Sequence, residues 1–555
     1  MIRSRMNLVC WFFSVAFLAP STQAALTWPG CKDVANTDFK ATNLATRAAD
    51  TVAEPMKMAF DLLAAPGEDA KGKVDVYFTE RLGKVRKFDS KLSKVLTLAT
   101  IPLDIDEANS SDGVLGIALD PAFKTNHQVF LYYSFVTTAE KSWRVSRFTL
   151  NASHDKMDLT SEVPVIKIPI RSGSRHPGGA IKFDAYGDLW ITTGNDYLDG
   201  KDFPVWSSAN TNDLRGKILR IHPTPDGKYT IPEGNLFKPN TPETKPEIYI
   251  MGNRNPYTLA LDPVRRWVLW GDVGPDAKDM DGLAMNGAGS TYKTEEYDLA
   301  QAPGNYGYPF FAGENTMLAG MNPASPVIPA NTDWNGYTPG LKTLPPAVVP
   351  IYPYKQSCAI TGPLYRYDGA LNSSVKFPPH FTRKWLVSDF NGDNNAIKAF
   401  TLSDDGKKVT AEEPVIGIPL HAPLDIESGP DGAIYVNNYA GYRSSSANTG
   451  IVRIDYTGDC RPSEPTLEKV VVGVRNENRW SGPGLEITHA HGISVVVTAI
   501  GTFTLEVHDI LGRPIAMRTG RGQMLLTLPE INRAGLYFIS IDAPEGRSTR
   551  KFVRE

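Results

Sequence analysis

A turn-and-strand unit that returns at irregular intervals restricts the fold of this chain more than anything else in it. An apolar residue leads into Asp-Pro, Asp-Gly or a bare Asp, a turn follows, and an aromatic-rich strand comes next. The unit occurs at Leu119-Asp120-Pro121 before Val129-Phe130-Leu131-Tyr132-Tyr133, and at Phe183-Asp184 before Leu189-Trp190-Ile191. It returns at Leu261-Asp262-Pro263 before Trp267-Val268-Leu269-Trp270, and most clearly at Gly429-Pro430-Asp431-Gly432 before Ala433-Ile434-Tyr435-Val436. Asp-Gly and Asp-Pro favour tight turns, and the flanking residues are strand formers. Other short strands lie between the copies, such as Val74-Asp75-Val76-Tyr77-Phe78 and Gly216-Lys217-Ile218-Leu219-Arg220-Ile221. Repeated strand units over most of a long chain predict an all-β protein built as a β-propeller, with long loops interrupting the blades.

The pattern changes after Cys460. Arg461-Pro462-Ser463-Glu464-Pro465 reads as a linker within 461–475, and residues 476–555 carry short strands of their own, such as Phe503-Thr504-Leu505-Glu506-Val507 and Gly535-Leu536-Tyr537-Phe538-Ile539. These predict a small C-terminal antiparallel β-sandwich. A length of 555 residues with 47 Gly and 42 Pro suits such a turn-rich, two-domain layout. The net charge of −3 supplies no footprint for nucleic acid or anionic membrane.

Arg3 and Arg5 precede an apolar run from Leu8 to Ala19, and Ser21-Thr22-Gln23-Ala24 offers a small-residue cleavage site. The run is shorter than the roughly 20 residues a membrane span needs. Residues 1–24 are therefore read as a secretory signal, with a retained anchor as the alternative, and the propeller as 25–460. Nothing later in the chain reads as a transmembrane span. Export permits disulfides. In a circular fold the two ends of the large domain meet, so a Cys31–Cys460 bridge is expected, with Cys358 left as a buried thiol.

The segment Arg175-His176-Pro177-Gly178-Gly179 places a histidine just before a glycine pair and a strand. Asn253-Arg254-Asn255-Pro256 occupies the same kind of position 78 residues on (254 − 176). A base and a cation at strand entries, beside glycines that admit a ligand to the backbone, suit the oxidation of a polyol. A loop histidine and an arginine clamping blade loops are the structural alternatives. The acidic set Asp272, Asp276, Asp279 and Asp281 reads as a Ca²⁺ site or as a solvated insertion. Tyr306 and Tyr308 are candidates to stack on a sugar, whereas Trp385 reads as core.

Seven segments, in order, resemble the glucose/sorbosone dehydrogenase family, which includes soluble sugar dehydrogenases dependent on pyrroloquinoline quinone (PQQ). They are Thr79–Val85, Asp112–Phe123, His176–Gly179, Leu214–Ile221, Arg254–Pro256, Gly271–Pro275 and Gly304–Pro309. The resemblance implies a six-bladed propeller with its active site on the top face. It implies that His176 is the catalytic base, that Arg254 is both a catalytic electrostatic stabiliser and a cofactor contact, and that Asn255 is a second cofactor contact. It implies that the carbonyls of Gly274 and Pro275 hold Ca²⁺. The implied activity is oxidation of a sugar or polyol substrate, with electrons passing to an external acceptor, since no haem or flavin motif is present.

Two departures stand beside these matches. Glucose-oxidising members hold the cofactor carboxylates with a lysine and an Arg-x-Arg pair, but the corresponding segments here are Ser388–Asp393 and His421–Ile426, without Lys or Arg. Ser111 stands where those members carry glutamine. A non-catalytic propeller that binds glycan or protein at the cell surface is therefore the alternative function. The end of the chain resembles a type IX secretion sorting domain, carried by Leu505–Pro514, Ala534–Ile539 and the basic Arg550-Lys551-Phe552-Val553-Arg554. This implies secretion machinery as a partner and a secreted or cell-surface location reached through the periplasm.

Overall fold

The recurring aspartates close turns. Asp184 accepts the backbone N–H groups of Tyr186 and Asp188 and, through its other oxygen, the indole N–H of Trp190 at 3.0 Å. Asp431 accepts from Ala433 N–H and from the Tyr435 hydroxyl. Asp262 accepts from Val264 N–H and Arg265 N–H. Each carboxylate satisfies donors that the turn leaves over, which explains why the same residue type opens each unit. Gly432 in the last turn has φ +76°, and a Cβ there would lie 2.5 Å from Lys376 Cβ, so the Asp-Gly pair is required locally.

The computed structural model describes residues 36–554 apart from 108–110, 171–174, 198–205, 276–294, 318–337, 355–357, 391–396, 416–419, 440–445, 463–483, 490–492, 510–512, 528–534 and 544–545. The strands of residues 39–456 form six main sheets, antiparallel except where Ile248–Met251 pairs in parallel with Gly304–Asn305. Their first strands are Pro55–Leu62, Val114–Leu119, Gly178–Phe183, Pro256–Leu261, Ala359–Leu364 and Pro423–Ser428. Each packs against the first strand of the next sheet, and the sixth packs against the first, so the sheets are the blades of a closed ring. The architecture is a six-bladed propeller, as the resemblance implied.

Second strands of the blades are covered on both faces and bury polar residues such as Asp75 and Glu80 along with apolar ones. Leu189–Thr193 and Val74–Glu80 are buried throughout. The outer strand Lys94–Thr100 is partly open to solvent, with only Val95 and Leu98 buried. The indoles of Trp143, Trp270 and Trp385 fill gaps inside and between blades, which places Trp385 in the core as expected. The sixth blade is assembled from both ends of the chain. Phe39–Thr46 pairs antiparallel with Gly450–Tyr456, in register from Phe39↔Tyr456 to Thr46↔Gly450.

The C-terminal strands Gly484–His489, Ile493–Asp509, Pro514–Thr527, Gly535–Ala543 and Gly546–Arg554 pair antiparallel, with Leu505, Val507, Ile539 and Ile541 buried on alternate positions. The leader, most of the linker and Cys31 lie outside the described residues. Cys460 is disulfide-bonded. Cys358 forms no disulfide, but it is half-buried, not enclosed as expected, because it precedes the fifth inner strand at the ring's face.

Gly450 sits where the two chain ends meet, and a Cβ there would fall 1.9 Å from Ala45 O. Gly450→Val is expected to lower the thermal midpoint by several degrees, a cost of about 1–3 kcal/mol, measured by circular dichroism. Non-reducing peptide mapping of exported protein is expected to recover the Cys460 peptide linked to the one containing Cys31. Both recovered as thiols would remove that pairing.

Candidate active site

All six inner strands begin on one face of the ring, so residues just before them share that face. His176 and Arg254 precede the inner strands of the third and fourth blades, which are neighbours. The His-Pro-Gly-Gly motif is a tight chain crossing. His176 has φ +59°, Gly178 +66° and Gly179 +111°. A Cβ on Gly194 would sit 1.9 Å from His176 O, and one on Gly179 2.7 Å from Leu115 Cβ. A histidine held in the left-handed region costs about 1–3 kcal/mol and persists where its surroundings over-determine it.

Three contacts fix the imidazole. Nδ1 lies 2.9 Å from Asn195 Oδ1, so Nδ1 carries the proton and Nε2 the lone pair. The ring stacks on Tyr197, with centroids 5.3 Å apart and planes at 14°. The backbone of Arg175 exchanges two hydrogen bonds with Tyr197, at 2.8 and 3.1 Å. The amide nitrogen of Asn195 is buried and has no hydrogen-bond partner among the described residues, a donor directly beside the histidine. Burial, and then the Arg254 guanidinium, hold the imidazole well below its ordinary pKa, so it is neutral at pH 7.

Arg254 is 5% exposed, and its Nη1 donates to Val273 O at 3.0 Å. The backbone around it is held by Asp272. One Asp272 oxygen accepts from Arg254 N–H at 2.8 Å and the other from Asn255 N–H at 2.6 Å. Burial raises the Asp272 carboxyl to about 7 against these bonds. Asn255 Oδ1 accepts from Gly178 N–H at 3.1 Å, and Asn195 N–H donates to Arg254 O at 2.9 Å. His176, Asn195, Arg254, Asp272 and Asn255 therefore form one connected lattice between two blades. It brings the predicted His176, Arg254 and Asn255 together.

Gly274 and Pro275 are buried beyond the end of the strand Val268–Asp272. The Gly274 N–H is hydrogen-bonded to the buried Glu295 carboxyl, whose pKa burial pushes well up. Backbone carbonyls and buried carboxyls are the oxygen groups close by, the donor type that suits a hard divalent cation. Among the described residues no cluster of three or more His, Cys, Asp or Glu is arranged around a metal position. Asp272 is not part of a solvated acidic insertion; it is buried at a strand end, while Asp276, Asp279 and Asp281 lie outside the described residues. Tyr306 and Tyr308 are 3% and 6% exposed and are not open stacking platforms: Tyr306 packs edge-on against Trp270, and Tyr308 lies in the field of Arg254.

The residues present fit the quinone end of a PQQ-like cofactor. An unpartnered buried amide, a neutral imidazole lone pair and a buried cation face the same region. The segments expected to meet the carboxylates hold other groups. Phe390 packs at a tilt against Tyr439, with ring centroids 5.6 Å apart, Asp389 is buried, and Leu424 takes part in the inner strand. The sequence singles out Asp272 only as a Ca²⁺ ligand or part of a solvated insertion, and it singles out neither Asn195 nor Tyr197 as a site residue. Asp272 lies in the quoted Gly271–Pro275 segment and Asn195 follows Gly194 just past the strand Leu189–Thr193, but Tyr197 leaves no sequence signal.

A family model described as Glucose / Sorbosone dehydrogenase matches residues 68–441. The aldose sugar dehydrogenase of Escherichia coli strain K12 is 26% identical over 360 residues, covering 64% of this chain and 82% of that protein. Quinoprotein glucose dehydrogenase B of Acinetobacter calcoaceticus is 27% identical over 259 residues, 43% of this chain and 48% of the relative. The solved structure of an oxidoreductase described as a glucose dehydrogenase, from Thermus thermophilus, superposes with TM-score 0.52 at 22% identity, over 75% of this chain and 99% of that one, and so shares the fold. The chain belongs to the glucose/sorbosone dehydrogenase family.

Because His176 is more acidic in the fold than in an open chain, the unfolded state binds more protons between the depressed native pKa and about 6.5, and stability rises with pH across that window. Asn195→Asp is expected to place a carboxylate on Nδ1–H and move the His176 titration upward, read by NMR of the imidazole; an unmoved or lowered titration would contradict this role for Asn195. Asp272→Ala leaves two buried N–H donors without an acceptor, and a loss of about 1–3 kcal/mol for each is expected in denaturant unfolding.

Proposed function

We propose that this chain is an exported oxidoreductase that oxidises a sugar or other polyol with PQQ and Ca²⁺ and passes the electrons to an external acceptor. The observation carrying the reading is the His176–Asn195–Arg254–Asp272 lattice, which presents a neutral base and a buried cation on one face. PQQ, when bound, would supply the two-electron acceptor for the substrate hydride, and Ca²⁺ a Lewis acid beside it. His176 would take the proton of the anomeric hydroxyl at Nε2, the nitrogen that Asn195 leaves with its lone pair. Arg254 would stabilise negative charge developing opposite that proton transfer, without reorganising, because its own backbone is pinned by Asp272. Asn195 and Asn255 would contact the cofactor, and the carbonyls of Gly274 and Pro275 would hold the cation.

Residues 1–24 would act as the leader, 25–460 as the oxidising propeller and 476–555 as the sorting domain that engages type IX machinery. The N-terminal basic-then-apolar pattern and the C-terminal motifs support this division. The relatives' printed activities, an aldose sugar dehydrogenase and a quinoprotein glucose dehydrogenase, support a sugar as substrate. One observation favours a binding module instead: Asp389 and Leu424 stand in the segments where other members place cations.

Full-length protein incubated with PQQ, Ca²⁺ and an aldose is expected to reduce an artificial dye. His176→Ala should lower the rate about 10²–10⁴-fold, and chelation of Ca²⁺ should abolish it. Protein that binds PQQ yet oxidises no aldose would sink the enzymatic reading and leave the binding module.

A further inference from the structure

The third residues of the six inner strands, taken around the ring, are Lys57, Gly116, Ala180, Thr258, Thr361 and Asp425. Only one is a cation, and it reaches the axis of the propeller. Lys57 comes from the first blade, yet its ammonium lies 4.0 Å from the ring centroid of Tyr257, in the fourth. First and fourth blades oppose each other in a six-membered ring, so this contact crosses the centre. Tyr257 follows Arg254 by three residues at the strand entry, which puts the pair just beneath the candidate active site.

Lys57 is 5% exposed, and among the described residues its ammonium has one hydrogen-bond acceptor, with the Asp425 carboxylate and the Tyr257 ring close by. Its Nζ donates to Leu424 O at 3.3 Å and stands 3.9 Å from Asp425 Oδ1, beyond hydrogen-bond reach. An ammonium has three donors, and a single oxygen takes one of them. Asp425 spends its other oxygen on Met58 N–H at 3.0 Å. The Tyr257 hydroxyl is scarcely better provided, with Met56 Sδ at 3.9 Å. One layer further along, Lys182 is taken up by Glu427 through a close ion pair. Among the described residues Lys57 is thus an axial cation with donors to spare, and it touches the carbonyl of Leu424, within the segment that carries no Lys or Arg of its own. Burial lowers the Lys57 pKa to about 8 while Asp425 pulls it upward, so the ammonium still predominates at pH 7.

We propose that Lys57, with the Tyr257 hydroxyl, receives a carboxylate of the anionic quinone cofactor at the propeller axis, so that a cation from the first blade serves where the fifth and sixth supply none. The proposal rests on the PQQ reading above. An ammonium meeting a desolvated carboxylate forms a charge-assisted hydrogen bond, the strong kind, and a neighbouring phenol adds a second donor.

Calorimetric titration of the full-length protein with PQQ in Ca²⁺, alongside its trimethyl ester, tests this without turnover. Wild-type protein is expected to bind the triacid more tightly than the ester. Lys57→Met should weaken triacid binding about ten- to a hundredfold with little effect on the ester, and Lys57→Arg should stay within about threefold of wild type. Thermal melts report whether Lys57→Met folds; if it does not, the acid-to-ester ratio of wild type and the Lys57→Arg and Tyr257→Phe affinities decide, and a wild-type ratio near one overturns the proposal. Equal triacid affinity in folded Lys57→Met also overturns it while leaving the PQQ reading intact. Wild-type protein that binds neither compound overturns both.

Discussion

The closure of the ring holds everything else in place. An inner strand of a propeller is stable only when packed on both sides, and no blade can bury its face alone. Here the last gap is filled by Phe39–Thr46 pairing with Gly450–Tyr456, so the two ends of the large domain are joined by backbone hydrogen bonds. The seam between first and sixth blades also carries polar contacts near the axis. Asn437 Nδ2 donates to Pro55 O and Met56 O, Met58 N–H donates to Asp425, and Lys57 reaches Leu424 O. An open seam would expose these groups to water and remove the partners that position them.

The candidate site takes its rigidity from the same principle at smaller scale. Strand entries leave backbone donors that regular pairing does not use, and buried donors must find acceptors. Asp272 serves Arg254 and Asn255, Asn255 serves Gly178, and Arg254 O serves Asn195. His176 is therefore oriented by groups whose first task is to satisfy the backbone. The low dielectric that makes those bonds necessary also keeps the imidazole neutral, the protonation state a base requires. Structure and chemistry share one cause here, so a substitution such as Asp272→Ala acts on both.

Much of this was legible in the sequence because it depends on local chemistry. The aspartate at each turn, the aromatic-rich second strands, the His-Pro-Gly-Gly crossing and the Arg-Asn-Pro entry all announce themselves by residue type and order. What stayed hidden depends on partners far away in the chain. Tyr197 stacks on His176 only because a bridge between Arg175 and Tyr197 folds one loop back on another. Tyr306 and Tyr308 look like sugar platforms by composition, yet packing against Trp270 and around Arg254 encloses them. Asp272 reads as one acid among four in an acidic stretch, and only its position at a strand end makes it a backbone acceptor. Lys57 in Pro-Met-Lys-Met-Ala-Phe looks like a charge misplaced in an apolar strand.

The sequence by itself determined the fold class, the repeated blade unit and the two residues, His176 and Arg254, around which the site is built. Turn chemistry and strand periodicity act over a few residues, and the spacing of the chain carries them directly. The tertiary structure decided how many blades close the ring, which neighbours tune the histidine, and that Lys57 meets Tyr257 across the axis. Those outcomes turn on burial and on contacts between residues hundreds of positions apart, such as Lys57 with Leu424. The free energy of a buried charge is set by what surrounds it in space, and a linear order of residues does not specify that.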